Sequence, residues 1–274
     1  MCPPQRALDD LPGTERLTTR IAEESRLLDR AERAASASEL VLAPVQLHHR
    51  NLQRRLREAA RPQGAFEFTD PESVGRTVVA AADGSTAALD RVDRLSLLRS
   101  LARDGADLPA ALRSLLVGGG DAGARRAERV RSEIESLTNH HPVRVEALRD
   151  AATGLDAPID GDAARLVDGA LRAEAALRDR GRAAVSTTAL LRRATRRIDR
   201  SGGDAWDAAF PEAERVSIVG VGALSAPYVD LVSALLASTA VAVEIHFRPG
   251  TGAFLDARLP ELLSVPDPGR EVAP

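Results

Sequence analysis

Apolar residues along this chain follow two rhythms. Leu40-Val41-Leu42-Ala43-Pro44-Val45, Arg215 to Val221 and Val241 to Phe247 are short, nearly continuous apolar runs bounded by polar or glycine residues, the signature of buried strands. Pro44 belongs at the end of its run, because proline cannot donate to a central ladder. Phe66-Glu67-Phe68 alternates and predicts a short strand, followed by a helix start at Thr69-Asp70-Pro71-Glu72. Elsewhere the spacing is helical. Leu17, Ile21, Leu27 and Leu28 predict a long helix from Gly13-Thr14 through Ala35, and a basic helix follows from Gln46 to Ala60.

From Ser73 to about Arg200 the pattern is helical almost throughout, with helices predicted at 72–82, 86–104, 108–116, 123–138, 143–152, 161–180 and 186–200. Gly105, Gly118-Gly119-Gly120, Pro142, Pro158, Gly161 and Gly181 mark the breaks, and Ser186 and Thr187 can cap the last helix. Ser201-Gly202-Gly203 reads as a loop, Ser225 to Ser238 as a helix, and 252–263 as a short helix candidate. Strand, helix and strand in close succession over 216–247 form a βαβ unit and imply a parallel sheet. The simplest assembly is an α/β fold: a small parallel sheet interrupted by a large all-helical insertion. Its parts are a flexible tail over 1–12, sheet segments over 13–82 and 205–250, the helical insertion over 83–204, and a tail or linker over 251–274.

Composition narrows the chemistry. All 37 cationic side chains are arginine, so a lysine-based phosphate loop, a Schiff base and a lysine general base are excluded. The single cysteine, Cys2, rules out an intrachain disulfide and any cysteine-built zinc cage. No apolar run reaches the ~20 residues of a membrane span, and the start of the chain lacks an apolar signal core, so a reducing, cytoplasmic setting is expected. The net charge of −3 argues against indiscriminate nucleic-acid binding, but leaves room for local basic patches.

Gly118-Gly119-Gly120-Asp121 follows a helical segment and reads as a link. Gly220-Val221-Gly222 follows a strand, the better context for a cofactor, but its continuation lacks the third glycine of a dinucleotide fingerprint. His48-His49 and His140-His141 are adjacent pairs whose side chains diverge on a helix, so no metal site is expected. The helix at 46–60 gathers Gln46, His49, Arg50, Gln53, Arg54 and Arg57, directly after a strand, where ligands of open α/β sheets bind. Phosphate contact is the functional reading of that face, and a solvated arginine face is the plain one. Arg192, Arg193, Arg196 and Arg197 form a second patch with the same two readings.

The layout resembles the N-terminal, inactivated helicase half of AddB-like helicase–nuclease subunits, relatives of the UvrD-like superfamily 1 helicases. Leu40 to Gln46 with Asn51 to Leu56 resembles a family strand leading into a helix that touches single-stranded DNA. Phe68-Thr69-Asp70-Pro71 resembles the following strand and helix entry, and Asp93 to Arg99 the start of the helical insertion. Arg215 to Ser225 resembles the strand that in active relatives ends in a magnesium-holding Asp-Glu pair; here those places read Gly220 and Val221. The resemblance implies a RecA-like (Rossmannoid) sheet, no ATP hydrolysis, no cofactor, and a scaffold for DNA (single-stranded or a duplex end) within a recombination or repair complex. It also implies a helicase or nuclease partner and no membrane. Two alternatives stay open: a protein-interaction module that does not touch DNA, and a cofactor-binding enzyme using the Gly220–Gly222 turn.

Overall fold

The computed structural model describes residues 11–34, 37–43, 46–82, 84–103, 108–116, 120–153, 163–181 and 183–272. Five strands form one all-parallel sheet: β1 (Leu17–Ile21), β2 (Glu39–Leu42), β3 (Glu67–Thr69), β4 (Arg215–Val221) and β5 (Ala242–Phe247), in the order β1-β5-β4-β2-β3. β2 is wholly buried, and β4 and β5 nearly so, as expected of parallel strands covered on both faces. Helices α1 (Ser25–Arg33) and α2 (Gln46–Glu58) build part of the core over the sheet, with Leu27, Ala31, Leu52 and Leu56 packed around Val41 and Val219.

The helix expected through 13–35 is corrected. Thr14–Arg16 is a short 3-10 turn, Leu17–Ile21 is β1, and only Ser25–Arg33 is helical. Leu17 and Ile21 have helical spacing, but the segment also holds Thr18 and Thr19, whose β-branched side chains suit a strand. The parallel ladder that pairs Leu17 with Val243 and Ile21 with Phe247 decides between the two. At the opposite edge, β3 is short and, among the described residues, pairs only with β2.

The remaining helices are α3 (Pro71–Ala81), α4 (Arg91–Arg103), α5 (Ala110–Leu115), α6 (Gly120–Thr138), α7 (Pro142–Thr153), α8 (Ala163–Asp179), α9 (Thr187–Arg200), α10 (Asp204–Ala209), α11 (Ala226–Ser238) and α12 (Gly252–Leu263). Two caps explain starts that the sequence signals. The Asp70 carboxylate accepts the Ser73 N–H at 2.9 Å ahead of Pro71, and Ser186 Oγ accepts the Ala189 N–H at 2.9 Å. The sequence pattern gave no sign of α10, whose Trp206 is buried with its ring centroid 4.7 Å from that of Phe210.

The chain forms two compact units. The first holds the sheet and comprises residues up to Gly84, Arg193–Leu224 and Tyr228–Pro268. The second comprises Ser85–Arg192, Ser225–Pro227 and the stretch from Gly269. It is helical, with Leu98, Leu112, Leu115, Ala127 and Leu177 in its core. The expected tail or linker over 251–274 carries α12, and Val272 N–H bonds to the His140 carbonyl at 2.9 Å within the second unit. The glycines at 118 and 119, Pro44 and Val45, and Cys2 lie outside the described residues; Gly120 opens α6.

Candidate nucleic-acid interface and the carboxyl edge of the sheet

In the sheet order, β2 connects through α2 outward to β3, whereas its neighbour β4 connects through α11 the other way, to β5. Adjacent strands whose connections leave in opposite directions open a crevice beyond their carboxyl ends, the usual ligand position of an open α/β sheet. Here that crevice is bounded by Ala43 and α2 on one side and by Gly220-Val221-Gly222 on the other.

His48 fills the space that a side chain at position 220 would take. Gly220 has φ +70°, and a Cβ built on it would lie 2.7–2.8 Å from three atoms of the His48 imidazole. Only a residue without a side chain tolerates both the backbone and the ring. Val221 is buried, its carbonyl accepts the Arg248 N–H at 2.8 Å, and the ladder to β5 shifts register between Ile218 and Val221. The Gly222 carbonyl accepts a hydrogen bond from the Thr251 hydroxyl at 3.1 Å. Among the described residues, no group of three or more His, Cys, Asp or Glu is placed to hold a metal.

The other end of a nucleotide site would lie after β1. The link from Ile21 to Ser25 is Ala22-Glu23-Glu24, with Ala22 at φ 59° and Glu24 at the N-cap of α1. Two carboxylates thus occupy a helix N-terminus that would otherwise attract phosphate. Glu24 is held by Arg55 of α2 at 2.9 Å, and Glu23 lies 3.5 Å from Arg26. Sequence reasoning missed this link because it ran a helix through β1. The adjacent Thr18 and Thr19 were the signal that could have found it.

On α2, Leu52 and Leu56 turn into the core, while Gln46, Arg50, Arg54 and Arg57 are exposed and Gln53 is partly so. Gln46, Arg50, Gln53 and Arg57 follow a 4-3-4 spacing and therefore share one stripe. Arg50 and Arg57 form no ion pair among the described residues, and Arg54 pairs with Glu58 at 2.8 Å. His49 sits elsewhere: its Nε2 accepts the Ala43 N–H at 3.2 Å and its ring packs edge-on to Phe68 at 5.7 Å. Burial pushes its pKa below the usual histidine value, which leaves it a neutral strut at the end of β2.

The second patch is dispersed. Arg192 is fully buried in the helical unit, 3.2 Å from Glu271, 3.4 Å from Glu174 and 3.5 Å from Glu135. It belongs to a network that includes buried Arg131, bound to Glu128 at 2.9 Å, Glu135 at 3.0 Å and Glu174 at 2.8 Å. Burial alone would raise the Glu135 pKa, but the charges of Arg131 and Arg192 outweigh it and hold that pKa at about 2. Arg192 therefore has no face for a phosphate. Arg197, in the sheet unit, donates to the Ala82 carbonyl at 2.7 Å, and Arg193 and Arg196 are half-buried. The sheet unit has a buried network of its own: Arg30 reaches Glu39 and Glu244, both at 2.8 Å, across β2 and β5. It stitches strands together beneath α1, a structural role that the sequence pattern did not disclose.

No helix of the described residues is long and apolar enough to cross a membrane. Among curated proteins, none matches the chain. The family described as Halobacterial UvrD-like protein matches it over residues 4–274. With an all-parallel sheet, a helical block between its strands and a family match over nearly the whole length, this chain belongs to the halobacterial UvrD-like family, a helicase-related group.

Proposed function

We propose that this chain is a non-catalytic, helicase-like scaffold that grips the DNA backbone with the exposed stripe of α2. The carrying observation is the contrast at one sheet edge: His48 closes over Gly220, while Arg50 and Arg57 stand exposed on the same helix with no ion pair among the described residues. Glu23 and Glu24 at the start of α1 add repulsion where a nucleotide phosphate would dock. Arg50, Arg54 and Arg57 contact backbone phosphates, and Gln46 and Gln53 add neutral hydrogen bonds. Such contacts position DNA without reading its sequence. The setting proposed is a recombination or repair complex of the AddB-like kind, with a helicase or nuclease as partner.

Charge reversal tests this. Arg50→Glu combined with Arg57→Glu should weaken single-stranded DNA binding at least tenfold at low salt, read by fluorescence anisotropy, with the circular dichroism spectrum unchanged. Unchanged affinity in that variant rejects the reading. A protein-docking role is the second reading, favoured by Leu47, which is 61% exposed on the same helix. Loss of partner binding in Leu47→Asp, with DNA affinity intact, would support it.

A further inference from the structure

The helical unit encloses a cavity of about 500 Å3 that the DNA reading leaves unused. Ala111 of α5, Leu171 and Ala175 of α8, and Val272 give it an apolar wall. His140, in the turn between α6 and α7, and Arg172 of α8 give it polar ones. His140 is only 2% exposed, and its Nε2 has no hydrogen-bond partner among the described residues. Its Nδ1 lies 3.8 Å from Glu174 Oε1. Of the three arginines on the lining, Arg149 is held by Asp168 at 2.7 Å and Arg178 by Glu271 at 2.6 Å. Arg172 is exposed and forms no ion pair among the described residues. The cavity therefore presents one uncommitted cation at its rim and one buried, unsatisfied imidazole nitrogen within.

We propose that this cavity binds a small organic acid carrying a hydroxyl donor: the acid group pairs with Arg172, the hydroxyl donates to His140 Nε2, and the apolar body packs on Leu171, Ala111 and Ala175. The tautomer follows from the surroundings. Burial lowers the His140 pKa to about 4, so the ring is neutral at pH 7. The Glu174 carboxylate favours the single ring proton on Nδ1, which leaves Nε2 an acceptor. A buried acceptor without a donor is unfavourable, so a ligand that supplies one gains from it. An apolar enclosure with a few convergent polar groups is the ordinary construction of a small-molecule site.

The test uses the whole chain at pH 7, titrated calorimetrically with 4-hydroxyphenylacetate, with phenylacetate, which lacks the hydroxyl donor, and with acetate, which lacks the body. The expected result is saturable binding of 4-hydroxyphenylacetate, weaker binding of phenylacetate by about tenfold, and none of acetate. Arg172→Gln, a surface change that leaves the fold in place, should weaken both aromatic acids by about tenfold while DNA affinity stays at the wild-type value. His140→Phe should remove the difference between the two aromatic acids. No saturable binding of either aromatic acid, or affinity unaltered by Arg172→Gln, overturns the proposal. Acetate binding as well as the aromatic acids would show an adventitious anion only, and overturns it too.

Discussion

On α2, Arg50, Arg54 and Arg57 stand in solvent, and among the described residues the one ion pair they form joins Arg54 to Glu58 along the same helix. In the helical unit, Arg131 and Arg192 lie fully buried among Glu128, Glu135, Glu174 and Glu271. As sequence, the basic stretches of α2 and α9 look alike: arginines interleaved with leucines at helical spacing. They differ in the availability of carboxylates. Where α6 and α8 place glutamates in the core, arginine becomes a cross-link. On α2 Glu24 takes Arg55 and Glu58 takes Arg54, while Arg50 and Arg57 form no ion pair among the described residues and stay open to an outside anion. Exposure of a basic helix is therefore an argument for function only after its internal partners have been counted.

The largest expected effect comes from breaking the buried network. Arg131→Ala leaves three buried glutamates without their shared guanidinium and should destabilise the fold by about 3–5 kcal/mol. Arg57→Ala on the exposed stripe should stay within about 0.5 kcal/mol of wild type. Urea unfolding of both variants checks the pair, and similar losses would erase the distinction between the two regions.

Acid should attack the helical unit through the same groups. His140 has a folded pKa of about 4, below its ordinary 6.5, so it contributes stability that is fully present above pH 6.5 and is lost as pH falls toward 4. Glu135, held at about 2 against an ordinary 4.5, contributes stability present above pH 4.5 and lost as pH falls toward 2. Both act in one direction. The urea midpoint should drop from pH 7 to pH 4, with His140 accounting for roughly 3 kcal/mol. A flat profile for the wild-type chain, matching that of His140→Gln, would contradict this.

At the sheet edge the expected effect is smaller. Gly220→Asp would place a carboxylate at the end of β4, where it meets the His48 ring and a positive φ, and should cost about 1–3 kcal/mol. Adding His48→Ala should recover the steric part and leave the backbone part. A fully additive double mutant would mean that the imidazole does not fill the site. Smallest of all is the exposed Arg54–Glu58 pair, whose coupling in a double-mutant cycle should be about 0.3–0.5 kcal/mol and fade with salt; a coupling above about 1 kcal/mol would mean that α2 is tied down as the helical unit is.

Much of this fold is legible in the residues. The apolar runs predicted from Leu40, from Val216 and from Val241 supply β2, β4 and β5 of the parallel sheet, and Asp70 and Ser186 cap helices as their types suggest. β1 was hidden because Leu17 and Ile21 fit a helical stripe, and only pairing with β5, more than two hundred residues later, makes the segment a strand. The geometry of the candidate site was legible in part. The polar stripe of α2 follows from spacing alone. The burial of Arg192, the imidazole over Gly220 and the strut role of His49 depend on long-range neighbours that no local pattern contains.

In the proposed function α2 holds DNA electrostatically while no nucleotide works the sheet edge. Fluorescence anisotropy of single-stranded DNA across a salt series, with and without ATP and magnesium, tests it most directly. Three phosphate contacts predict that log affinity falls against log salt with a slope of about −2, unaltered by ATP. Absence of binding at low salt, or affinity that changes when ATP and magnesium are added, would contradict the account.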